Sequence, residues 1–355
     1  MRLLKRRSTK FALMAALTTM VAVTVAGPVL AVPSVTGGGA TFPAPLYQRW
    51  ASHFKGAKIN YQPTGSGAGI ASIKAGTVSF GGSDAPLSSA ELGASGLVQF
   101  PSCVGGLVAI VNLPGIGAGK LKLDGTTLAG IYSGSITTWN NPAITKLNPG
   151  VNLPGTRITP VHRSDGSGST WIFTHYLAAV SGTWKSKVGI GGTTVRWPLG
   201  LGYSGSAGVA AAVKQASGRI GYVEYAYAIQ ARIPYTLLKN RAGKFVGPSI
   251  SGFQSAATSA NWVPSQGFAT VMVNAAGAKS WPIAGASFIL MKANTSAASY
   301  DTIHAVLQYF DWAYKNSTAK SDAVALSYVS MPTNVVTSVE KVWHASIKAG
   351  GKACW

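Results

Sequence analysis

The chain has 355 residues, 47% of them hydrophobic, which is enough for one large domain or two of moderate size. It carries 30 basic and 9 acidic side chains, a formal net charge of +21 at pH 7. Beyond the first ten residues the basic side chains are scattered, and no basic run exceeds two residues. This scatter argues against nucleic-acid binding, which needs a basic patch or stripe. Attraction to a small anion and a surface suited to an acidic exterior both remain open.

The first 31 residues have the pattern of a secretory signal peptide. Five basic residues precede an apolar run over residues 11–26, and Val29 and Ala31 place small side chains at the −3 and −1 positions of a cleavage site. We expect cleavage near Ala31 and a soluble, exported protein. Without the five leader cations, 25 basic and 9 acidic side chains remain, a net charge of +16.

Strands and helices alternate along the rest of the chain. Continuous apolar strands between amphipathic helices predict an α/β fold with mixed sheets flanked by helices. Given the length, we expect two domains with a hinged ligand cleft between them. Residues 181–206 and 239–267 are read as loop-rich insertions. In chain order, strands are predicted at 57–65, 78–86, 105–115, 157–166, 218–228 and 287–294, and helices at 43–54, 127–136, 169–180, 302–315 and 334–348, with a further short helix containing Ile70 and Ile73.

Two cysteines, Cys103 and Cys354, are present. Cysteines in an exported chain can pair. The sequence does not show whether these two lie close together, so a disulfide stays open.

Three glycine-rich loops with hydroxyl side chains precede predicted helices. They are GGGATFPAPLYQRW (37–50), TGSGAGIASIKAG (64–76) and RSDGSGSTWIFTHYL (163–177). The first N–H groups of a helix have no partner within it and favour an anion, while glycine lets the backbone approach closely. Each loop taken alone is equally an ordinary N-cap. Three such loops together favour an oxyanion site.

Charged residues in these loops sharpen that interpretation. Arg163 offers a bidentate fork to a tetrahedral oxyanion, and Asp165 can orient the guanidinium. Asp84, in GGSDAPL (81–87), would repel an anion unless the anion carries a proton that the carboxylate can accept. Protonated phosphate has such a proton, whereas sulfate near neutral pH does not. An Asx-turn before Pro86 is the structural alternative for Asp84.

Motifs of the main enzyme classes are missing from the sequence. It contains no G-x-S-x-G, no Walker P-loop and no C-x-x-C, and its five histidines show no metal-ligand spacing. We therefore expect a binding protein with no cofactor and no metal rather than an enzyme.

Six stretches together resemble the periplasmic phosphate-binding proteins of Pst-type ABC transporters. They are GGGATFPAPLYQRW, NYQPTGSGAGI, FGGSDAPLS, RSDGSGST, GYVEYAYA and FDWAYK, and the resemblance extends over essentially the whole chain after the leader. It implies two α/β domains that close over one phosphate ion. The domain formed by both chain ends would comprise residues 32–103 and 282–355, and the other domain residues 104–281.

The resemblance also implies a set of ligand residues. In that family, Asp84 would accept the phosphate proton, Arg163 would bind the phosphate, and Asp165 would pair with Arg163. Ser169 stands where the family usually has threonine, which keeps the hydroxyl and removes a methyl group. The phosphate ligands carried over are Thr41, Phe42, Ser66, Asp84, Arg163, Ser167, Gly168 and Ser169.

The implied function is high-affinity phosphate binding in the periplasm by a monomer that delivers the ion to membrane permease subunits. Two alternatives remain at this point. Arsenate is protonated as phosphate is, so another protonated tetrahedral oxyanion would also suit Asp84. An exported phosphatase-like enzyme is the second alternative.

Overall fold

A computed structural model describes residues 32–355, which form one compact unit. The predicted signal peptide, residues 1–31, lies outside the described residues. The strands are β1 Ser34–Gly39, β2 Lys58–Gln62, β3 Phe80–Ser83, β4 Leu97–Val111, β5 Lys122–Leu123, β6 Thr159–Arg163, β7 Leu201–Tyr203, β8 Arg219–Glu224, β9 Leu237–Lys239, β10 Phe245–Val246, β11 Ala284–Lys292, β12 Asn294–Thr295, β13 Val329–Ser330, β14 Lys348–Ala349 and β15 Lys352–Ala353.

The helices cover the sheets and agree with most of the periodic segments of the sequence. They are α1 Ala44–His53, α2 Ser66–Ala75, α3 Ser89–Ser95, α4 Gly125–Ser133, α5 Pro142–Thr145, α6 Gly168–Val180, α7 Gly182–Lys187, α8 Gly205–Gln215, α9 Tyr225–Gln230, α10 Ile250–Ala257, α11 Tyr300–Lys315, α12 Ser317–Ala325 and α13 Thr333–Ser346, with short 3₁₀ turns at Pro264–Gln266 and Ala297–Ser299. None of the helices within residues 32–355 combines the length and the apolar character of a membrane span.

Nine strands form the main sheet in the order β2-β1-β3-β11-β4-β8-β6-β7, with β13 paired to β4. Strands β1, β2 and β3 are parallel, as are β6, β7 and β8. Strand β4 joins the two parallel groups, since residues 97–106 pair with β11 and residues 107–111 pair with β8, both antiparallel. All 15 residues of β4 are buried, as expected for a strand covered on both faces.

This topology brings the carboxyl ends of two strand groups toward each other. Strands β3 and β4 are both antiparallel to β11, so β3 runs in the same direction as β4. Strand β8 is antiparallel to β4 and therefore runs in the opposite direction. The two parallel groups therefore point in opposite directions along β4 and converge near its middle. Ligands in open α/β sheets bind outside the carboxyl ends of strands, so this convergence predicts the location of a site.

The α/β class with mixed sheets and flanking helices is confirmed, while some element predictions were wrong. The segment 218–228 is not one strand, because β8 ends at Glu224 and helix α9 begins at the next residue. The regions 181–206 and 239–267 are rich in loops, but each also contains a helix that was not predicted. Helix α7 begins after a Ser181 cap that accepts from Trp184 N–H, and α10 begins after a Ser249 cap that accepts from Gly252 N–H.

Two further predictions have different outcomes. Cys103 and Cys354 are both buried and both free, so the disulfide that the sequence left open is absent from the structure. The division into two domains, one formed by residues 32–103 and 282–355 and the other by residues 104–281, stays a prediction.

Candidate functional site

The predicted site residues meet where the strand ends converge. Thr41 and Phe42 follow β1, Ser66 opens α2 and Asp84 follows β3, while Arg163 ends β6. Arg163 Nη1 donates to Thr41 Oγ1 at 2.9 Å, across 122 residues of sequence. Loops that are far apart in the chain thus form one buried cluster.

Gly168, at the start of α6, closes the cluster from the other side. Its N–H donates to Ser66 Oγ at 3.0 Å. A Cβ atom at Gly168 would lie 2.6 Å from Asp84 Cβ and 2.7 Å from Ser66 Oγ, closer than real Cβ contacts. Glycine is therefore required for this approach. The adjacent loops also touch, since Gly67 N–H donates to the Gly166 carbonyl at 2.9 Å.

Arg163 is held by Asp165 in a fork-to-fork ion pair. Nε donates to Asp165 Oδ1 at 2.7 Å, Nη2 bonds Oδ2, and the Gly205 N–H also donates to Oδ1 at 3.0 Å. Burial by itself would lower the pKa of Arg163, but its bonds to Asp165 raise it. Burial would likewise raise the pKa of Asp165, but the guanidinium lowers it. The pair is charged, and Nη1 remains aimed at Thr41.

Asp84 is buried among these donors with 1% of its surface exposed. Its backbone N–H donates to Ser66 Oγ at 3.3 Å, but its Oδ1 has no hydrogen-bond partner within residues 32–355. Burial, and then the negative charge of Glu224, raise the pKa of Asp84 well above its usual range. The carboxyl group therefore has a buried oxygen without a partner, and an O–H group on a ligand would donate a hydrogen bond to it.

The remaining predicted residues also lie in the cluster, with structural roles of their own. Ser167 Oγ accepts from Thr170 N–H at 3.1 Å and so caps α6, which is the ordinary N-cap role of such a serine. Phe42 packs its ring against Tyr328, and its carbonyl accepts from Tyr328 Oη at 2.6 Å. Any ligand contact from Phe42 must therefore come from its backbone N–H.

Three residues that the sequence analysis did not select also belong to the cluster: Glu224, Ser206 and Tyr227. Glu224 Oε1 accepts from the predicted residue Ser169, whose Oγ lies 2.6 Å away. Ser206 Oγ lies 2.8 Å from Thr41 Oγ1 and accepts from Arg163 Nη1 at 3.3 Å. Tyr227 Oη donates to the Thr41 carbonyl at 2.9 Å.

For two of them, Glu224 and Ser206, the sequence carried a signal. Glu224 is a single acid at the end of the apolar strand RIGYVE in a chain with nine acids. Ser206 lies in SGSAG, which repeats the glycine and hydroxyl pattern of the other loops, but at the edge of a segment read as an insertion.

The cluster has the chemistry of an oxyanion site. Its groups are hydroxyls, backbone amides at helix starts, one arginine and carboxyl groups. No group of three or more His, Cys, Asp or Glu side chains within residues 32–355 could hold a metal ion.

Known proteins are similar to this chain over most of its length. A family model described as a PBP superfamily domain matches residues 24–316. A phosphate-binding protein PstS of Xylella fastidiosa is 48% identical over 317 residues, covering 88% of this chain and 86% of the relative. A phosphate-binding protein PstS of Haemophilus influenzae is 46% identical over 318 residues, covering 89% and 94%.

The chain belongs to the PstS family of phosphate-binding proteins. This membership confirms the resemblance drawn from the sequence motifs. It also confirms the prediction that the chain is not an enzyme, because PstS proteins are binding proteins.

Solved structures agree with the PstS fold. A phosphate-binding protein from Stenotrophomonas maltophilia matches with a TM-score of 0.68 at 22% identity, covering 90% of this chain and 96% of that one. A high-affinity periplasmic phosphate-binding protein bound with phosphate matches with a TM-score of 0.68 at 24% identity, with the same coverage. At these identities the structures establish the fold alone.

Proposed function

We propose that the chain binds inorganic phosphate in the periplasm and delivers it to the permease subunits of a phosphate ABC transporter. The observation that carries the proposal is Asp84, a buried carboxyl group with an unpartnered oxygen beside the arginine–hydroxyl cluster. The PstS relatives at 46–48% identity support phosphate as the ligand.

Each predicted ligand residue then has a definite role. Arg163 provides the positive charge, and Asp165 holds its guanidinium plane. Thr41, Ser66, Ser167 and Ser169 provide hydroxyls, while Phe42 and Gly168 provide backbone N–H groups next to helix starts. Asp84 accepts the proton of the bound phosphate.

Several of these donors bond to one another in the structure, and phosphate would replace those bonds. The contacts are Arg163 Nη1 to Thr41 Oγ1 and Gly168 N–H to Ser66 Oγ. Because each contact joins loops from different parts of the chain, an ion inserted between them would tie the same loops together. The closed arrangement is what the permease would recognise, and phosphate binding would favour it.

The same reasoning sets the selectivity. Sulfate carries no proton near neutral pH, so binding it would either bury two negative charges side by side or require Asp84 to take up a proton from solvent. A missing hydrogen bond at a buried site can discriminate by roughly 10⁴–10⁵-fold. Arsenate is protonated like phosphate and is the second candidate ligand, since Asp84 cannot tell the two apart by protonation.

Export as a monomer, with cleavage after Ala31, completes the proposal. The leader pattern of residues 1–31 supports it. N-terminal sequencing of the exported protein should begin at Val32. A protein that begins at Met1 would contradict cleavage.

Equilibrium dialysis against radiolabelled phosphate tests the central claim. Protein stripped of phosphate should bind one phosphate per chain. Arg163→Ala should reduce the affinity by at least roughly tenfold, because a hydrogen bond to a charged group contributes about 1.5–3 kcal/mol. Absence of phosphate binding by folded wild-type protein would refute the proposed function.

A further inference from the structure

Glu224 is a buried carboxyl group at the edge of the phosphate cluster. Only 1% of its surface is exposed. Its Oε1 lies 2.6 Å from Ser169 Oγ, and its Oε2 has no hydrogen-bond partner within residues 32–355. It ends β8, so its position is fixed by the central sheet rather than by a mobile loop.

The groups that face Glu224 leave it without a dedicated cation. Arg163 contributes a favourable charge, but its Nε and Nη2 are taken by Asp165. Asp84 is a second buried carboxyl group near enough for the charge of Glu224 to raise its pKa. The phenols of Tyr227 and Tyr328 also face it, and burial keeps both protonated. A buried carboxylate without an ion-pair partner is costly, so further negative charge entering the site would drive it to the neutral form.

Burial is the main cause that raises the pKa of Glu224, and the hydroxyls of Ser169 and Ser206 and the charge of Arg163 oppose the rise. The charge of Glu224 in turn raises the pKa of Asp84, so a proton on one of these buried carboxyl groups eases ionisation of the other. An incoming phosphate adds further negative charge to the same volume. The charge balance of the occupied site therefore requires a proton near Asp84 and Glu224.

The Ser169 hydroxyl has one proton to donate. When Glu224 is ionised, the hydroxyl donates that proton to Oε1 and presents no donor to an anion. When Glu224 is protonated, the carboxyl O–H can donate to Ser169 Oγ, and the serine proton is free to turn toward the ligand. The 2.6 Å separation suits either direction of the bond.

We propose that Glu224 is a positioning residue that takes up a proton when phosphate binds and thereby turns the Ser169 hydroxyl toward the ion. This inference rests on the proposed phosphate site. It adds a second carboxyl group to that site with the opposite task from Asp84. Asp84 accepts a hydrogen bond from the phosphate O–H, whereas protonated Glu224 donates a hydrogen bond to Ser169 and so frees the serine proton for the ion.

The test compares Glu224→Gln with Glu224→Ala by calorimetric titration of phosphate into the exported, processed protein. Glutamine has the same shape and can donate from its amide to Ser169 Oγ, so Glu224→Gln should bind phosphate within about threefold of wild type. Glu224→Ala removes the donor and should weaken binding by about tenfold, the effect of one hydrogen bond. In a Ser169→Ala background the two substitutions should no longer differ.

Proton uptake provides the readout that a merely structural role would not change. The titrations are repeated near pH 8 in buffers of different ionisation enthalpy, which counts the protons taken up with phosphate. Wild type should take up more protons than Glu224→Gln, by up to one per phosphate. Equal proton uptake by the two proteins would overturn the inference, and so would a loss of affinity in Glu224→Gln as large as in Glu224→Ala.

The outcomes separate this inference from the proposed function. If wild type fails to bind phosphate, the phosphate site itself is wrong, and the role of Glu224 falls with it. If wild type binds phosphate, but Glu224→Gln takes up as many protons as wild type or loses as much affinity as Glu224→Ala, only the role of Glu224 is wrong. Circular dichroism of both variants establishes that they are folded before titration.

Discussion

Three of the nine acidic side chains of this basic chain, Asp84, Asp165 and Glu224, lie around one buried arginine. Their environments differ. Asp165 bonds Arg163 directly and has a lowered pKa, whereas burial raises the pKa of Asp84 and of Glu224. In the proposed site, carboxyl side chains therefore have three tasks: holding a cation, accepting a hydrogen bond from the ligand and orienting a hydroxyl.

Asp84→Asn tests the selectivity mechanism. An amide can donate to an unprotonated oxygen, so the variant should accept sulfate better and phosphate less well, and the phosphate-to-sulfate affinity ratio should fall by at least roughly a hundredfold. Competition titrations measure this ratio. Asp124→Asn is the matched control, because Asp124 caps α4 and asparagine caps helices equally well. An unchanged ratio in Asp84→Asn would remove Asp84 as the filter.

Asp165→Asn tests the orientation of the arginine. The variant keeps the size of the side chain but loses the charge that holds Nε and Nη2 of Arg163. Phosphate and sulfate affinities should both fall, by roughly tenfold or more, with little change in their ratio. Isothermal titration with both anions measures this. A large change in the ratio would mean that Asp165 takes part in selection of the ligand.

At the scale of secondary structure, the site is assembled from the ends of parallel strands and the starts of the helices that follow. The sequence predicted these junctions well where a helix follows glycine and a hydroxyl residue, as in TGSGAGI and RSDGSGST. It failed where the same pattern lies in a segment read as a loop-rich insertion. Helix α8, GSAGVAAAVKQ, was not predicted, and with it Ser206 was missed.

The role of Glu224 was missed for a different reason. The apolar run RIGYVEYAYA favoured one strand from 218 to 228, but the structure ends β8 at Glu224 and starts α9 at Tyr225. Local pattern does not reveal this switch, because the same alternation of aromatic and small residues suits a buried strand or a buried helix. Which hydroxyls a buried acid meets depends on tertiary contacts between β8 and α6, which sequence spacing does not specify.

Gly168→Ala tests the contact between the start of α6 and the residues after β3. The added methyl group would collide with Asp84 and Ser66, so the two elements would have to move apart. Phosphate affinity should fall by roughly tenfold or more, since overpacking of a tight contact costs about 1–3 kcal/mol. Dialysis against phosphate measures the loss.

Gly93→Ala is the matched control for that substitution. Gly93 lies in α3, and a Cβ atom there would meet no atom within 4 Å. Alanine should leave phosphate binding unchanged and raise the free energy of unfolding by about 0.5–1 kcal/mol, because glycine weakens a helix. Equal losses of affinity in the two variants would show that the close approach of Gly168 does not matter.

At the scale of the whole molecule, the raised pKa of Asp84 makes stability depend on pH. A carboxyl group with a raised folded-state pKa contributes its full stability below its unfolded pKa of about 3.9, and that contribution is lost as the pH rises through the folded-state pKa. Asparagine does not titrate. Phosphate-free Asp84→Asn should therefore unfold with a larger free energy than wild type at neutral pH, and the difference should shrink as the pH falls toward 4.

Urea denaturation at pH 4, 5.5 and 7 measures this difference. Phosphate must be removed first, because a ligand that binds the folded state adds stability of its own. The variant should be more stable and yet less selective, which is the trade expected when a binding group is buried for function. If the difference in free energy of unfolding between the variant and wild type does not change with pH, the pKa of Asp84 is not raised in the folded protein.

The selection of a protonated oxyanion is best tested by calorimetric titration of phosphate-stripped wild-type protein with phosphate and then with sulfate, at several pH values. We expect tight binding of one phosphate and no measurable heat from sulfate near neutral pH, because Asp84 requires a proton on the ligand. Comparable affinity for both anions, or binding of neither, would contradict a site that selects a protonated oxyanion.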